Sequence, residues 1–234
     1  MTAELDIDTS HVASDAAELL SGRRSYLRES LHFIRLWLRR PVSLGAVLPS
    51  SRALALAMAE QVDHLAPGVV VELGGGTGSI TAALLDSGVP MEDLVVIERE
   101  PALAGLLRAR FPGIHVICGD ACELQRLVVD AGLGPVKSVV SGLPLLSLPD
   151  ALCRDIIDQV FLTLQPYGTL VQFTYGPRSP VPRSLRRKVE IIGERASWVL
   201  ENLPPASVWS YHRRCEPRMP LYGSVFKEFL HRAA

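Results

Sequence analysis

The sequence of 234 residues predicts an α/β fold built on a doubly wound, mostly parallel sheet. Short apolar strands alternate with helical segments over residues 69–175, and this alternation is typical of parallel sheets with helices on both faces. The first strand runs directly into a glycine-rich turn. The later strands end in polar residues or glycine, which are the positions where ligands bind in such folds.

Two segments precede this pattern. Residues 1–21 are acidic and contain no Lys or Arg, which predicts a frayed start with a short helix near 16–20. Residues 23–40 predict an amphipathic helix with six Arg and one acidic residue. Its apolar line is Leu27, Leu31, Ile34 and Leu38, with Tyr26, Phe33 and Trp37 on one side and Arg24, Arg28, Arg35 and Arg39 on the other. Such a helix fits contact with an anionic membrane surface or packing on the domain as a cap.

The next helix is predicted over Arg52–Leu65. Pro41 ends the preceding helix, and Ser50 or Ser51 is a suitable N-cap. The apolar positions at helical spacing are Leu54, Met58, Val62 and Leu65. The linker 43–49 has glycine and uncharged residues, so we expect it to fold over a bound ligand, the alternative being a plain loop between helices.

The glycine-rich turn follows a strand at Val69–Val71, a β-branched run that suits burial on both faces. Gly74, Gly76 and Gly78 lie at alternate positions, where the absence of a Cβ permits a sharp turn and close approach to a ligand. The dinucleotide fingerprint would need Gly or Ala at position 79, where this chain has Ser79. The pattern indicates a nucleotide-type site of another kind, or else an ordinary tight turn.

Three further strands end in residues suited to a nucleotide. The strand 94–97 is followed by Glu98, about where an acidic residue accepts hydrogen bonds from ribose hydroxyls. The strand 116–118 is followed by Gly119, Asp120 and Ala121, and an Asp there can accept from an adenine amino group. The strand 138–140 runs into the segment 141–146. Four such strand ends in order favour the ligand site over a chance turn.

The remaining elements complete the alternation and then break it. Helices are predicted over residues 79–87, 101–110, 123–131 and 150–164, and a fifth strand over 169–175. The segments 197–203 and 207–213, joined by Pro204 and Pro205, predict an antiparallel hairpin that brings the sheet to seven strands. The tail 221–230 fits a final strand or a short helix.

Composition restricts the function classes. The formal net charge of −1 gives no global field that would attract polyanions. The four cysteines, Cys118, Cys122, Cys153 and Cys215, have no framework spacing and suggest a reducing compartment. We expect no metal at His115, Cys118 and Cys122, because they are divided between a strand and a helix. No signal peptide is visible, and no apolar run approaches the ~20 residues that span a bilayer.

The motifs together resemble a known family. The series Glu-Leu-Gly-Gly-Gly-Thr-Gly, Ile-Glu98, Gly-Asp120 and Ser-Gly-Leu-Pro144 is similar to motifs I to IV of the S-adenosylmethionine-dependent methyltransferases. The segment 40–51, with Gly-Ala-Val-Leu-Pro-Ser-Ser, resembles the bacterial phospholipid N-methyltransferases, relatives of the ribosomal RNA adenine dimethylases. The resemblance covers roughly residues 30–215 and implies a Rossmann-like sheet with S-adenosylmethionine as cofactor and S-adenosylhomocysteine as product.

The resemblance also assigns cofactor contacts. Glu72 and the three glycines would border the methionine and ribose portions, Glu98 the ribose hydroxyls, Asp120 with Ala121 the adenine, and the backbone of residues 141–143 the sulfonium and the acceptor. The complete implied set is Glu72, Gly74, Gly76, Thr77, Gly78, Glu98, Arg99, Asp120, Ala121, Ser141, Gly142 and Leu143.

The segment after the fourth strand bears on the acceptor. Adenine and glutamine methyltransferases of the superfamily usually have Asn or Asp, Pro-Pro and an aromatic residue there, whereas this chain has Ser-Gly-Leu-Pro. The missing amide and aromatic argue against a flipped base and favour a flexible ethanolamine head group. Candidates for catalysis are Tyr175, His212 and Tyr26, and candidates for holding the head group are Arg178, Tyr211 and Arg213. Imidazole suits proton acceptance near neutral pH, Tyr can face a methylated ammonium and Arg can bind phosphate.

The sequence thus predicts an amphipathic segment at 1–45 and a methyltransferase domain at 46–234. The predicted reaction is methylation of phosphatidylethanolamine, through the mono- and dimethyl forms, to phosphatidylcholine. We expect the enzyme to bind anionic lipid on the inner face of the cytoplasmic membrane. We expect no nucleic-acid partner and no metal, and a monomer is the favoured oligomeric state. One alternative is an RNA adenine N-methyltransferase, with the basic stretch Arg178, Arg183, Arg186, Arg187 and Lys188 as its RNA footprint rather than a second membrane patch. Another is a non-catalytic module that binds cofactor and docks on a membrane or partner.

Overall fold

The computed structural model describes residues 51–202 and 204–214, and within them the predicted α/β architecture is confirmed. Seven strands form one sheet in the order β3-β2-β1-β4-β5-β7-β6. The strands are β1 (Val69–Leu73), β2 (Leu94–Glu98), β3 (His115–Cys118), β4 (Val136–Ser141), β5 (Leu164–Tyr175), β6 (Ile191–Val199) and β7 (Ala206–Arg213). The helices are α1 (Arg52–Ala59), α2 (Ser79–Asp86), α3 (Pro101–Arg110), α4 (Leu124–Asp130), α5 (Asp150–Thr163) and α6 (Arg183–Lys188).

The five strands β1 to β5 are parallel, and their side chains alternate between two cores. Val71, Val95 and Val139 face the core that α4, α5 and α6 cover. Val70, Val96 and Val140 face the core that α1, α2 and α3 cover. Because every residue of β1 and β2 is buried, these strands are continuous apolar runs broken only by Glu72 and Glu98.

The antiparallel hairpin is also confirmed. β7 pairs antiparallel with both β5 and β6, which places β6 at the edge of the sheet. β6 begins at Ile191, earlier than the sequence predicts. A register shift between Arg195 and Ser197 changes which of its side chains lie on each face of the sheet.

The prediction of a helix over Arg52–Leu65 is wrong at its C-terminal half. Ser51 is the N-cap, with its Oγ accepting from the Leu54 N–H at 3.2 Å, but the helix ends at Ala59. Beyond it, Asp63 Oδ1 accepts from the N–H groups of Leu65 and Ala66, an Asx-type turn that competes with helix continuation. Leu65 is therefore 96% exposed rather than part of the apolar face.

The basic stretch after β5 is not wholly a loop. Residues Arg183–Lys188 form the short helix α6, which Leu185 anchors in the core. The predicted helix 23–40, the linker 43–49 and the tail 221–230 lie outside the described residues, as does Cys215.

Candidate functional site

A cavity of about 280 Å³ opens at the carboxyl ends of the parallel strands. It lies where β1 separates β2 from β4, the point at which the chain reverses its direction of travel across the sheet. Ligands bind at this position in doubly wound folds. One wall is polar, formed by Glu98, Arg99, Glu100 and Asp120, and the opposite wall is aliphatic, formed by Leu143, Leu148, Leu152 and Ile156.

The glycine turn between β1 and α2 forms the floor of the cavity. Gly74, Gly76 and Gly78 all have positive φ, at 76°, 54° and 86°, which L-residues with a Cβ rarely adopt. A Cβ on Gly74 would lie 2.7 Å from the Leu143 side chain, and one on Gly78 would lie 2.5 Å from the Phe111 ring. A Cβ on Gly76 would meet nothing nearer than the Gly74 carbonyl oxygen at 4.0 Å. Gly76 is therefore the position at which the turn leaves room for a ligand.

Glu98 links the glycine turn to the end of β2. Its Oε2 accepts from the Gly76 N–H at 2.9 Å, and its Oε1 accepts from the Glu100 N–H at 2.8 Å. The side chain is buried, yet it lines the cavity. Two backbone donors hold this carboxylate in one orientation. It can therefore accept hydrogen bonds from a pair of vicinal hydroxyl groups.

The end of β3 supplies the second carboxylate. Asp120 Oδ1 accepts from the Cys122 N–H at 3.0 Å and so caps the short helical turn Ala121–Glu123. Its Oδ2 lies 3.3 Å from Nη1 of Arg99, which follows β2. The pair thus joins two neighbouring strand ends at the rim of the cavity.

The segment after β4 is held from two sides. Leu143 donates its N–H to Ser141 Oγ at 3.3 Å, and its carbonyl accepts from Gln172 Nε2 at 2.9 Å. Gln172 lies on β5 opposite Ser141 and is fully buried, with no hydrogen-bond partner for its Oε1 among the described residues. Sequence reasoning missed Gln172, because a single polar residue inside an apolar strand carries no local signal of the loop it contacts.

Glu72 lies beneath the glycine turn rather than on the wall of the cavity. Its Oε2 accepts from Thr81 Oγ1 at 2.6 Å, while Oε1 has no hydrogen-bond partner in the described part of the chain. Burial raises the pKa of this carboxyl from 4.5 to about 8, and the neighbouring Glu98 adds to the rise while the Thr81 hydrogen bond opposes it. An orphaned buried carboxyl oxygen beside a glycine cradle fits a site that receives a cationic ligand group.

Most predicted cofactor residues meet at this cavity. Its lining includes Gly74, Gly76, Glu98, Arg99, Asp120, Ala121, Gly142 and Leu143. The lining does not include the remaining four, which are Glu72, Thr77, Gly78 and Ser141. The Thr77 carbonyl accepts a hydrogen bond from Arg110 Nη1 at 2.5 Å. The aliphatic wall was not predicted, although Leu152 and Ile156 share one face of α5 and Leu148 lies just before that helix.

The hairpin candidates do not join the cavity. Because β7 is antiparallel to β5, Tyr211 pairs with Leu170 and Ala206 pairs with Tyr175. Tyr211 therefore lies five residues, about 17 Å, along the sheet from Tyr175. The structure therefore does not bring Tyr175 and residues 211–213 together at one cavity, and their roles stay predictions.

The contacts of the individual side chains agree with this placement. Tyr211 is fully buried, with its hydroxyl 2.8 Å from Ser179 Oγ. Arg213 donates from Nη2 to the Phe161 carbonyl at the end of α5. His212 pairs with Ile192 across the hairpin, at the edge opposite the cavity.

Two candidates remain at the carboxyl edge. Tyr175 ends β5 in edge-to-face contact with Phe173, and burial raises the pKa of its phenol to about 12, so it keeps its proton at neutral pH. Arg178 is exposed in the loop that follows. Neither lines the cavity, and their roles stay predictions. Tyr26 lies outside the described residues.

The described ranges also limit what else the site contains. Between residues 51 and 214, leaving out Leu203, no group of three or more His, Cys, Asp or Glu side chains is placed to hold a metal ion. Over the same residues, no helix has the length and apolar character needed to cross a membrane.

Comparisons of sequence place the chain among methyltransferases. It is 32% identical over 188 residues to ornithine lipid N-methyltransferase of Singulisphaera acidiphila, a match that covers 78% of this chain and 95% of the relative. It is 31% identical over 102 residues to an uncharacterised methyltransferase of Oceanobacillus iheyensis, covering 44% of each chain. No family model matches the sequence.

Solved structures show the same fold at low identity. An O-methyltransferase from Bacillus cereus, in complex with S-adenosylhomocysteine, superposes with a TM-score of 0.54 at 11% identity, covering 80% of this chain and 90% of that one. A TehB-like S-adenosylmethionine-dependent methyltransferase from Corynebacterium glutamicum gives 0.51 at 17% identity, covering 80% and 99%. At these identities the likeness concerns the fold alone.

Proposed function

Because the chain belongs to the class I S-adenosylmethionine-dependent methyltransferases, we propose that it transfers methyl groups from this cofactor to the amine of a membrane lipid. The observation that carries the proposal is the 32% identity to a lipid N-methyltransferase over 95% of that relative's length. The segment after β4 supports it, since Ser141 stands where a planar amino group would need an amide.

The cavity residues suit the cofactor in a definite arrangement. Glu98, fixed by two backbone N–H groups, would accept from the ribose hydroxyls, and Asp120 with Ala121 would border the adenine. The aliphatic wall of Leu148, Leu152 and Ile156 would pack on the purine ring. The open space above Gly76 would admit the cofactor close to the backbone. The buried Glu72, whose raised pKa of about 8 keeps it protonated at neutral pH, would lie below the methionine portion.

Bound S-adenosylmethionine supplies an electrophilic methyl group on a sulfonium. The protein's part is to align the acceptor and exclude water, which are the main contributions available in an in-line displacement. We assign this role to the backbone of Gly142 and Leu143, which line the cavity. A carbonyl oxygen can accept two hydrogen bonds. The Leu143 carbonyl can therefore accept one from an N–H of the substrate amine while the bond from Gln172 fixes its direction.

The proposed substrate is phosphatidylethanolamine and its mono- and dimethyl forms, with phosphatidylcholine as the final product. The primary amine of phosphatidylethanolamine resembles that of lysine, with a pKa of about 10, so it must lose a proton before methyl transfer. The cavity lining contains no aromatic side chain within the described part of the chain, which disfavours a stacked base. An ornithine lipid is the second candidate, because the relative is named for that substrate.

We further propose that the enzyme is a peripheral membrane protein whose predicted helix 23–40 contacts the lipid surface. Six Arg beside an apolar stripe are suited to anionic head groups and the acyl boundary. Flotation with anionic vesicles, before and after replacement of Leu31, Ile34 and Trp37 by serine, tests this part of the proposal. Unchanged flotation would reject the membrane contact without affecting the assignment of the cofactor site.

The reaction is tested with labelled S-adenosylmethionine and vesicles that contain phosphatidylethanolamine or an ornithine lipid, with structured RNA as a parallel acceptor. Label in the phosphatidylethanolamine vesicles supports the proposed substrate, and label only with the ornithine lipid selects the second candidate. Label in RNA alone would overturn the lipid assignment and support the alternative of an RNA adenine N-methyltransferase. Label in no acceptor, together with calorimetry that still detects cofactor binding, would support the non-catalytic module.

A further inference from the structure

A further concave site lies on α6 and the adjoining ends of β6 and β7. It has a volume of about 330 Å³, and Arg183, Arg186, Arg187, Glu190 and Arg214 contribute to its lining. The chain enters β6 at Ile191, which pairs with Arg213 at the end of β7. Since β7 is antiparallel to β5, this end lies at the edge of the sheet opposite the cofactor cavity. The two sites are therefore separate.

Among the described residues, the positive charge of this site is mostly uncompensated. Four Arg and one Glu line it, and none of these five side chains forms a salt bridge within the described residues. Like charges crowded in one concave surface repel one another and focus a positive potential there. The chain as a whole has a net charge of −1, so this potential is local.

Arg186 is the central member of the group. It is half-buried on α6, and its Nε is enclosed without a hydrogen-bond partner among the described residues. Its charge lies close enough to the buried Tyr211 hydroxyl to influence that group, but the hydroxyl is already engaged with Ser179. The guanidinium is thus positioned by packing, and no described residue forms a salt bridge with it.

The backbone holds the two halves of the site together. The Arg214 N–H donates to the Glu190 carbonyl at 2.8 Å, which fixes the end of β7 against the segment that leaves α6. Glu190 has φ of 52°, a left-handed conformation that terminates α6 and turns the chain into β6. Arg186 and Arg187 come from the helix and Arg214 directly follows β7, so the cations converge from two segments onto one cavity.

We propose that this cavity binds a phosphate group, carried by an anionic phospholipid or by a free phosphate ester. Several guanidinium groups match the charge and the multiple acceptor oxygens of phosphate better than those of one carboxylate. The cations are gathered in one cavity rather than spaced along a track, which favours a single phosphate group over a nucleic-acid backbone. Binding there is independent of methyl transfer, because the cofactor cavity is at the other edge.

The test uses the full chain without cofactor and measures binding of inorganic phosphate, of pyrophosphate, of structured RNA, and of phosphatidylcholine vesicles with and without phosphatidic acid. The variant Arg186→Gln/Arg187→Gln is compared with Arg52→Gln/Arg108→Gln, which removes the same charge from exposed positions elsewhere. We expect the first pair to weaken binding about tenfold or more, and the second pair to leave it nearly unchanged. The variant Arg214→Gln should weaken binding without altering α6.

The outcomes separate the two phosphate sources. Phosphate or pyrophosphate binding with no gain from phosphatidic acid assigns a free phosphate ester, and vesicle binding that pyrophosphate competes away assigns a lipid head group. Equal losses in both double variants, binding of RNA without any effect of pyrophosphate, or no binding of any probe would overturn the proposal. Unchanged affinity of each variant for S-adenosylmethionine shows that the fold is intact and keeps this result distinct from the proposed methyl transfer.

Discussion

The backbone N–H of Gly76 donates a 2.9 Å hydrogen bond to Oε2 of Glu98, which joins the glycine turn after β1 to the end of β2. The other carboxylate oxygen accepts from the Glu100 N–H, so Glu98 is oriented before any ligand arrives. Such preorganisation reduces the conformational entropy that binding must otherwise overcome.

Replacing Glu98 with alanine should weaken S-adenosylmethionine binding roughly tenfold or more, because a charged hydrogen-bond acceptor for the ribose is lost. Isothermal titration calorimetry measures this affinity. Asp130→Ala is a suitable control, since this exposed carboxylate bonds only Arg126 within the described structure. Equal affinity of the Glu98 variant and the wild type would reject the ribose role.

Gln172 should act on the acceptor side of the cavity. Gln172→Met removes the donor to the Leu143 carbonyl while keeping a buried side chain of similar length, and we expect turnover to fall about tenfold. Cofactor affinity should change much less, because the polar wall of Glu98 and Asp120 is untouched. Ser138→Ala is the control, since this buried hydroxyl on β4 has no hydrogen-bond partner in the described ranges. A parallel loss of cofactor affinity and turnover would contradict the positioning role.

Much of this site was predictable because its signals are local. Buried β-branched runs followed by Glu98, Asp120 or a glycine identify the strand ends, and parallel strands bring those ends together. Gln172 and the wall of Leu152 and Ile156 depend instead on contacts between distant segments, which spacing along one element does not reveal.

The structure places the hairpin candidates away from the cavity for a related reason. The sequence predicts two strands joined by a double proline, but the direction of β7 relative to β5 decides which end of it approaches the cofactor. The antiparallel pairing sends Tyr211 and Arg213 away from the cavity. The length of α1 was overestimated because apolar spacing continues through Val62, while the Asp63 side chain favours a turn.

The buried carboxyl of Glu72 predicts a pH dependence of stability. Its pKa is about 8 in the folded protein against 4.5 for the ordinary group, so between these values the folded state holds a proton that the unfolded chain has released. The free energy of unfolding should therefore fall as pH rises through this window, by on the order of 1 kcal/mol per pH unit, and level off above it.

The variant Glu72→Gln should lose this dependence, because an amide does not titrate. Urea unfolding of both proteins at several values between pH 5 and pH 9 gives the comparison, and the variant should gain on the wild type as pH increases. Parallel profiles would show that Glu72 does not titrate in this range.

Gly193 on β6 should tolerate no side chain. A Cβ there would lie 2.2 Å from Cε1 of Tyr211, whose ring is fully buried and stacked on Trp209. Gly193→Ala should destabilise the fold by about 1–3 kcal/mol through overpacking. In the matched control Gly134→Ala, where a Cβ meets nothing within 4 Å, the change should stay within about 0.5 kcal/mol. Chemical denaturation measures both, and equal stability of the two variants would contradict the packing described for Tyr211.

Lipid N-methylation is tested most directly by tandem mass spectrometry of lipids recovered after incubation with S-adenosylmethionine bearing a labelled methyl group. With phosphatidylethanolamine vesicles, we expect successive label on the head-group nitrogen, as mono-, di- and trimethyl forms, and none on a lipid whose amine is acetylated. Label on a lipid oxygen, or on RNA with every lipid unlabelled, would contradict the assignment of the enzyme as a lipid N-methyltransferase.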